Sequence, residues 1–417
     1  MNYNAKLEIL SPLHIGDGNE IFPIEYFKYK GFTYFINDEI LINSLSNIEQ
    51  KGFLDWIKSD SLKNLNSFLD NKNISDKTIE QLIKKSIRIT NENVDNNVKT
   101  IMKIKEKPYI PGSEIKGAIR TAIIFYILKN NEMLYNKLKS EILELQRKFE
   151  FLVEKTKNKK GNLILNKKDI EIIKKISFYL FKKIKYDHRK KTNIIKVTTI
   201  KNFLSKEVQK VSKFVEKEIL ILDTQRDAKY DILKNLIISD TSPGKSEIKY
   251  GKINTLNMSR NGSEWIEYID NGIFEFSINL NNESHEKLLD ITNDNQKKEI
   301  LSLDFIKTAL YEYSKSILNT EKEYFIKNKS EIISKIQNYE RLNTIESPLI
   351  RLGKYKGYLS NTISIIIKEK DPELYDSFLV HCTKNTSYIK KEVNEYFPKT
   401  RRILNNDIMG WCKLEIN

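Results

Sequence analysis

The residues best arranged for chemistry lie in Tyr109-Ile110-Pro111-Gly112-Ser113-Glu114-Ile115-Lys116-Gly117-Ala118-Ile119-Arg120-Thr121. A proline-glycine turn and Ser113, read as a helix cap, come directly before an amphipathic basic helix. Lys116 and Arg120 are four residues apart and can share one side of that helix, near the free backbone N–H groups of its first turn. Two full charges and the partial positive charge of the helix end suit a phosphate group. An ordinary capped surface helix carrying two cations accounts for the same residues.

A second candidate is Arg351-Leu352-Gly353-Lys354-Tyr355-Lys356-Gly357-Tyr358. Glycines let a backbone approach a phosphate chain, Lys354 and Lys356 neutralise it, and Tyr355 can stack on an unpaired base. Gly353 and Gly357 also fit a tight turn before a strand. The run Lys182-Lys183-Ile184-Lys185-Tyr186-Asp187-His188-Arg189-Lys190-Lys191 is the densest positive patch. It reads equally as a polyanion contact and as a solvated helix end.

Acids at Asp223, Asp227 and Asp240 can act as bases or metal ligands, but the neighbouring Arg226 and Lys229 and local capping explain them more simply. The histidines, His14, His188, His285 and His381, lack zinc-site spacing. His14, among glycines, is the one to test as an RNA-cleaving base. The chain has no phosphate-loop, Rossmann or nucleophile-elbow motif.

The elements that must position these residues come from the patterning. Ile115, Ala118, Ile119, Ala122 and Ile123 form a helical stripe that faces a core. Before it, Tyr3–Leu10, Ile21–Tyr26, Phe32–Ile36 and Val98–Lys105 read as extended. Asp38–Leu45 and Gly52–Leu69 read as helices. Strands returning around a helix fit a split sheet-and-helix domain of the ferredoxin type. From Ala118 to Pro243 the one glycine is Gly161, and Leu134, Leu138, Ile142 and Leu145 recur at helical spacing. This middle region is mostly helical, with an extended or hairpin element between Gly161 and Lys168. Beyond Ser239–Gly244, Ile248–Met258 and Glu264–Leu280 read as a hairpin or meander turning at Gly272. Leu303–Asn319 and Tyr324–Gln337 read as helices, and Tyr358–Ile367 and Gly410–Ile416 as strands.

Lys and Arg total 71 against 56 Asp and Glu, a formal net charge of +15 over 417 residues. The excess favours a polyanion or an acidic protein as partner. The sequence is rich in Asn, Ile and Lys throughout, so any single lysine run weighs less. A mean hydropathy of -0.50 and the lack of a long apolar run argue for a soluble chain with no membrane span. The amino terminus does not read as an export signal. Cys382 and Cys412 are the two cysteines, too few for a disulfide framework, so a cytoplasmic location is expected.

Five stations, in order, resemble a known family. They are Leu10-Ser11-Pro12-Leu13-His14-Ile15-Gly16; Tyr109 to Ser113 with Lys116 to Arg120; Ile238-Ser239-Asp240-Thr241; Arg351-Leu352-Gly353 with Gly357; and Lys399-Thr400-Arg401-Arg402 before Gly410-Trp411. Together they resemble the fifth subunit of type III-A CRISPR Csm effector complexes, within the repeat-associated mysterious protein (RAMP) superfamily. The resemblance implies an α+β fold: two ferredoxin-like, RNA-recognition-type domains, 1–130 and 239–417, flanking a mostly helical middle region, 131–238. It implies a non-catalytic subunit without a cofactor. Such a subunit binds CRISPR RNA (crRNA), caps the 3′ side of a filament of RAMP backbone subunits, and supports crRNA maturation by recruiting cellular nucleases. By the same resemblance Lys116 and Arg120 belong to the basic helix, and Gly353 and Gly357 to the glycine-rich loop. The residues leave two other readings open. One is a metal-independent endoribonuclease using His14 with Lys116 or a tyrosine; the other is a purely structural assembly subunit.

Overall fold

The first strand, Asn2–Ile9, lies at the centre of a sheet. Ala5, Leu7 and Ile9 are buried and Lys6 and Glu8 exposed, the period-two alternation of a strand with one face on a core. A computed structural model gives this architecture. It describes all residues except 37, 59–63, 72–73, 75, 91–93, 95, 157–158, 223–229, 258–263, 282, 284–285, 287–296, 298, 328–330, 384–397 and 399. Asp223, Arg226, Asp227, Lys229, His285 and Lys399 therefore lie outside the described residues.

The five-stranded sheet runs Leu236–Ile238, Ile273–Leu280, Asn2–Ile9, Trp411–Ile416, Leu349–Arg351, antiparallel throughout. Leu7 sits opposite Phe274 on one side and Leu414 on the other. The six-stranded sheet runs Asp407–Ile408, Arg401–Leu404, Lys249–Leu256, Glu264–Tyr268, Val98–Ile101, Gly16–Ile21, with one parallel pairing, Glu264–Tyr268 on Val98–Ile101. Each sheet takes strands from both ends of the chain. The expected division into 1–130 and 239–417 is therefore not how the strands partition, because sheet membership follows non-local pairing. Lys249–Leu256 and Glu264–Tyr268 form the expected hairpin. Ile273–Leu280 does not continue it as a meander. Gly272, at φ +125°, stands where the chain leaves one sheet for the other.

The Gly112–Asn130 helix buries Ile115, Ala118, Ile119, Ala122 and Ile123 as its spacing predicts. Ile124, Phe125 and Leu128 are buried too. The Leu303–Lys327 helix packs alongside, with the Phe125 and Tyr313 rings 5.2 Å apart.

Two insertions have cores of their own. Between the first sheets' strands, Tyr26–Tyr29, Phe32–Phe35 and Ile87–Thr90 pair beside short helices around Phe27, Leu41, Phe53 and Phe68. The middle region is helical over Glu132–Thr156, Lys167–Ile176 and Val197–Leu220. It also carries a three-stranded sheet, in which Asn162–Leu165 fulfils the extended element expected after Gly161. Leu152, Ile173, Leu180 and Ile200 fill its centre. The whole is a mixed α/β fold with several sheets and a large helical insertion.

Tyr358–Ile367 is not a strand. Leu359–Asn361 is a 3-10 turn and Ser364–Lys370 a helix. Its Ile365, Ile366 and Ile367 are all buried, and a run of β-branched residues enclosed on every side has no period by which to tell helix from strand. Among the described residues no helix is long and apolar enough to cross a membrane.

Candidate nucleic-acid interface

Segments far apart in sequence meet at a cleft of about 430 Å3. The loop after the first strand contributes His14, the Gly16–Ile21 strand contributes Gly16 and Gly18, and the Val98–Ile101 strand contributes Lys99 and Thr100. The turn after Leu349–Arg351 supplies Gly353, Lys354 and Lys356. Glu114, in the first turn of the Gly112–Asn130 helix, lines one side. Backbone contacts fix the arrangement. Lys354 N–H donates to the His14 carbonyl at 2.9 Å, Gly410 N–H to that of Pro12 at 2.9 Å, and Leu352 N–H to that of Gly410 at 2.8 Å.

The two loop glycines do different work. Gly353 has φ +75°, and a β-carbon there would stand 2.5 Å from the His14 carbonyl oxygen. Its close approach is thus to the protein's own backbone. Gly357 has φ +83° and open space where a β-carbon would be, so it keeps an accessible backbone.

Cations outnumber carboxylates on the cleft lining, with Lys99, Lys354 and Lys356 against Glu20 and Glu114. The Tyr355 hydroxyl donates to Glu264 Oε2 at 2.6 Å, and Lys99 Nζ pairs with the same oxygen at 2.8 Å. The Arg402 guanidinium and the Lys354 ammonium lie 5.1 and 5.3 Å from the Tyr355 ring centroid. Burial acts to raise the Glu264 carboxyl, but hydrogen bonds from Lys99 and Tyr355 and the Lys99 and Arg402 charges hold it down to about 2. Burial, followed by the charge of Lys99, pushes the Lys354 ammonium below its ordinary range. Lys356 is lowered by burial, with Glu114 opposing. Lys99, Lys354 and Arg402 thus gather about one carboxylate, a field that an added anion would relieve.

Several expected site residues lie elsewhere. Ser113 is exposed and is not the cap. The helix begins at Gly112, Pro111 precedes it without a side-chain cap bond, and Asp240 Oδ1 accepts from Gly112 N–H at 2.8 Å. Thr241 Oγ1 likewise accepts from Ile110 N–H at 2.9 Å. A β-carbon on Gly112 would meet the Ile238 carbonyl oxygen at 2.3 Å. The second and third motif stations are therefore docked on each other, and Asp240 takes the place proposed for a phosphate. Lys116 Nζ donates to the Leu236 carbonyl at 2.7 Å. Arg120 pairs with Asp231 at 2.9 Å and Glu216 at 3.2 Å. Neither lines the cleft.

Arg351 is buried, its guanidinium 3.2 Å from Glu321, which also binds Arg401 at 2.6 Å. Its Nε donates to the Met409 carbonyl at 2.9 Å. The side chain is committed to the interior and presents no surface to RNA. The Tyr355 ring is buried as well, so it orients Glu264 and offers no stacking face. Lys354 is exposed, and Lys356 and Gly357 reach the surface beside it. His14 is 1% exposed, and its Nδ1–H donates to the Glu267 carbonyl at 2.8 Å. Among the described residues no group of three or more His, Cys, Asp or Glu is placed to hold a metal ion.

Lys99, Arg402 and Glu264 were not legible as site residues. Lys99 and Glu264 lie in strands far apart in the chain, and only the parallel pairing of those strands brings their side chains together.

Residues 6–369 match the family model of the RAMP superfamily. The chain belongs to the RAMP superfamily. This RAMP chain is 23% identical to the "CRISPR system Cms protein Csm5" of Methanocaldococcus jannaschii, over 99% of its own length and 88% of the relative's. Its fold is similar to a chain in a cryo-EM structure of a Csm–crRNA–target RNA ternary complex of a type III-A CRISPR-Cas system, with a TM-score of 0.66 and 22% identity, covering 99% of this chain and 100% of that one. The crystal structure of T. onnurineus Csm5 is similar too, with a TM-score of 0.60 and 18% identity over 98% and 99% of the two chains. The relation to Csm5, the fifth Csm subunit, is the one that the motif stations led us to expect.

Proposed function

We propose that this RAMP chain is a crRNA-binding subunit of a type III-A Csm effector complex, holding the crRNA backbone at the Lys99–Lys354–Lys356 cleft. The observation that carries the reading is the crowding of cations there: Lys99, Lys354 and Lys356 line one opening against Glu20 and Glu114, and the Lys99 charge bears on Lys354. Phosphates fill such a site without regard to base identity. Similarity to Csm5 along nearly the whole chain supports the choice of complex.

In this reading the subunit caps the 3′ side of a filament of RAMP backbone subunits and supports maturation by positioning cellular nucleases. It works in the cytoplasm and needs no cofactor. Each large sheet with its covering helices corresponds to a ferredoxin-like unit, the two interleaved through strand exchange. The chain does not cleave RNA itself. Burial of the His14 ring and its bond to the Glu267 carbonyl support this, since a general base must reach a 2′-hydroxyl.

The test is to tag the protein in cells carrying the other subunits and recover what copurifies. A small RNA of defined length with several RAMP-like subunits is expected. Lys354→Ala with Lys356→Ala should retain less of that RNA and lower its salt slope by about 0.7 per lost single-strand contact. An unchanged slope would remove these lysines from the interface. Cutting of repeat RNA by the purified chain, abolished by His14→Ala, would overturn the non-cleaving assignment.

A further inference from the structure

The positive run of the middle region carries rings as well as charge, and the folded chain turns both outward. Phe178, Tyr179 and Tyr186 are 59%, 52% and 51% exposed. Three large exposed rings fall within nine residues of chain, unlike singly scattered surface apolar groups. The Lys182 and Lys183 ammonium groups lie 4.6 and 5.6 Å from the centroids of the Phe178 and Tyr179 rings. Phe181 stacks against Phe178 at 6.2 Å and brings Lys174 to within 5.5 Å of its own ring.

The hairpin that follows in the chain, Lys185–Asp187 on Thr192–Lys196, carries the third ring. Its Tyr186 meets His188 edge to face at 5.0 Å, and its turn exposes Arg189, Lys190 and Lys191. Asp187, whose carboxylate accepts the backbone N–H groups of Arg189 and Lys190, offsets one of these charges and shapes the turn that carries them.

We propose that this face is a second RNA contact, a stacking platform for single-stranded RNA. Rings interleaved with cations fit a strand that offers both phosphates and unpaired bases. An acidic protein would need the lysines but not the exposed rings. A duplex keeps its bases stacked inside, so the rings should act on single strands alone. None of these residues lines the cleft, and the platform stands or falls separately from it.

Full-length protein titrated with a labelled oligouridine of about ten nucleotides provides the test. Phe178→Ala, Tyr179→Ala and Tyr186→Ala combined should weaken binding about tenfold or more, at an unchanged salt slope. Tyr179→Phe with Tyr186→Phe should bind as the parent does. Lys182→Ala with Lys183→Ala should instead lower the slope, by about 0.7 for each lost contact. If the triple variant melts early, Tyr186→Ala alone, on the exposed hairpin, gives the readout. Parental affinity in ring variants that melt normally would overturn the proposal. So would parental affinity with loss of assembly, which would make the face a protein contact. Lys354→Ala with Lys356→Ala separates the two sites. If that pair alone abolishes oligouridine binding, the platform falls and the cleft remains; if the ring variants alone abolish it, the cleft reading falls.

Discussion

Arg120 reaches Asp231 across 111 residues of sequence, with Nη1 2.9 Å from Oδ2. The opening helix is thereby tied to the segment that leads into the Leu236–Ile238 strand, and Lys116 ties it again through the Leu236 carbonyl. Cations that look ready for a ligand in the sequence are partners of the protein itself.

Reversal of Arg120 to Glu should therefore destabilise the fold. The new carboxylate would stand beside Asp231 and Glu216, and charged hydrogen bonds of this kind contribute about 1.5–3 kcal/mol. Chemical denaturation of the purified variant measures the loss. A cost under about 0.5 kcal/mol, within the range of ordinary surface changes, would return Arg120 to the surface and to RNA.

Gly353→Val should be more damaging than loss of either loop lysine. Strained left-handed backbone costs a β-branched residue about 1–3 kcal/mol, and the β-carbon also meets the His14 carbonyl oxygen at 2.5 Å. Lower melting and weaker RNA retention are expected together, because Lys354 N–H bonds that same oxygen. Equal melting of variant and parent would show that the loop can move away.

Glu321 lies between Arg351 and Arg401, with all three side chains buried. Burial acts to raise its carboxyl, and the two guanidinium charges outweigh that and hold it below the usual range. Glu321→Ala should cost about 3–5 kcal/mol, since two buried cations lose their counter-charge. Arg351→Ala should leave RNA affinity of the remaining folded protein unchanged. A selective loss of affinity without loss of stability would contradict the buried placement.

His14 predicts a pH effect of definite sign. Burial lowers its ring below the ordinary 6.5, and the Lys354 and Lys99 charges add to this against the opposing Glu267 bond. The unfolded chain then binds the proton more readily than the folded one. Stability from the neutral ring is complete above about pH 6.5 and falls as pH drops toward the depressed value, by at most about 1.4 kcal/mol per unit. The stability difference between parent and His14→Gln should shrink in acid over that window. Parallel curves would mean that the ring titrates as it does in water.

Some of this was legible in the sequence. The Ile115, Ile119 and Ile123 stripe identified the core side of one helix, because helical period is a local property. The glycine-rich loop was recognisable from Gly353 and Gly357, since left-handed turns select their residue locally. The strand ends of the chain, Tyr3–Leu10 and Gly410–Ile416, were readable by alternation.

Tertiary structure alone decided which segments share a sheet and where each charge goes. Nothing near Asn2–Ile9 says that it pairs with Ile273–Leu280 and Trp411–Ile416, so the boundaries at 130 and 239 cut across both sheets. Lys116, Arg120 and Arg351 were read as ligand-facing from their own neighbourhoods, yet their partners Leu236, Asp231 and Glu321 come from distant segments. Lys99 and Lys354 were brought to one opening by strand pairing and a turn. A cation's free energy depends on which carboxylates and how much water surround it in the folded chain, and a linear sequence does not carry that environment.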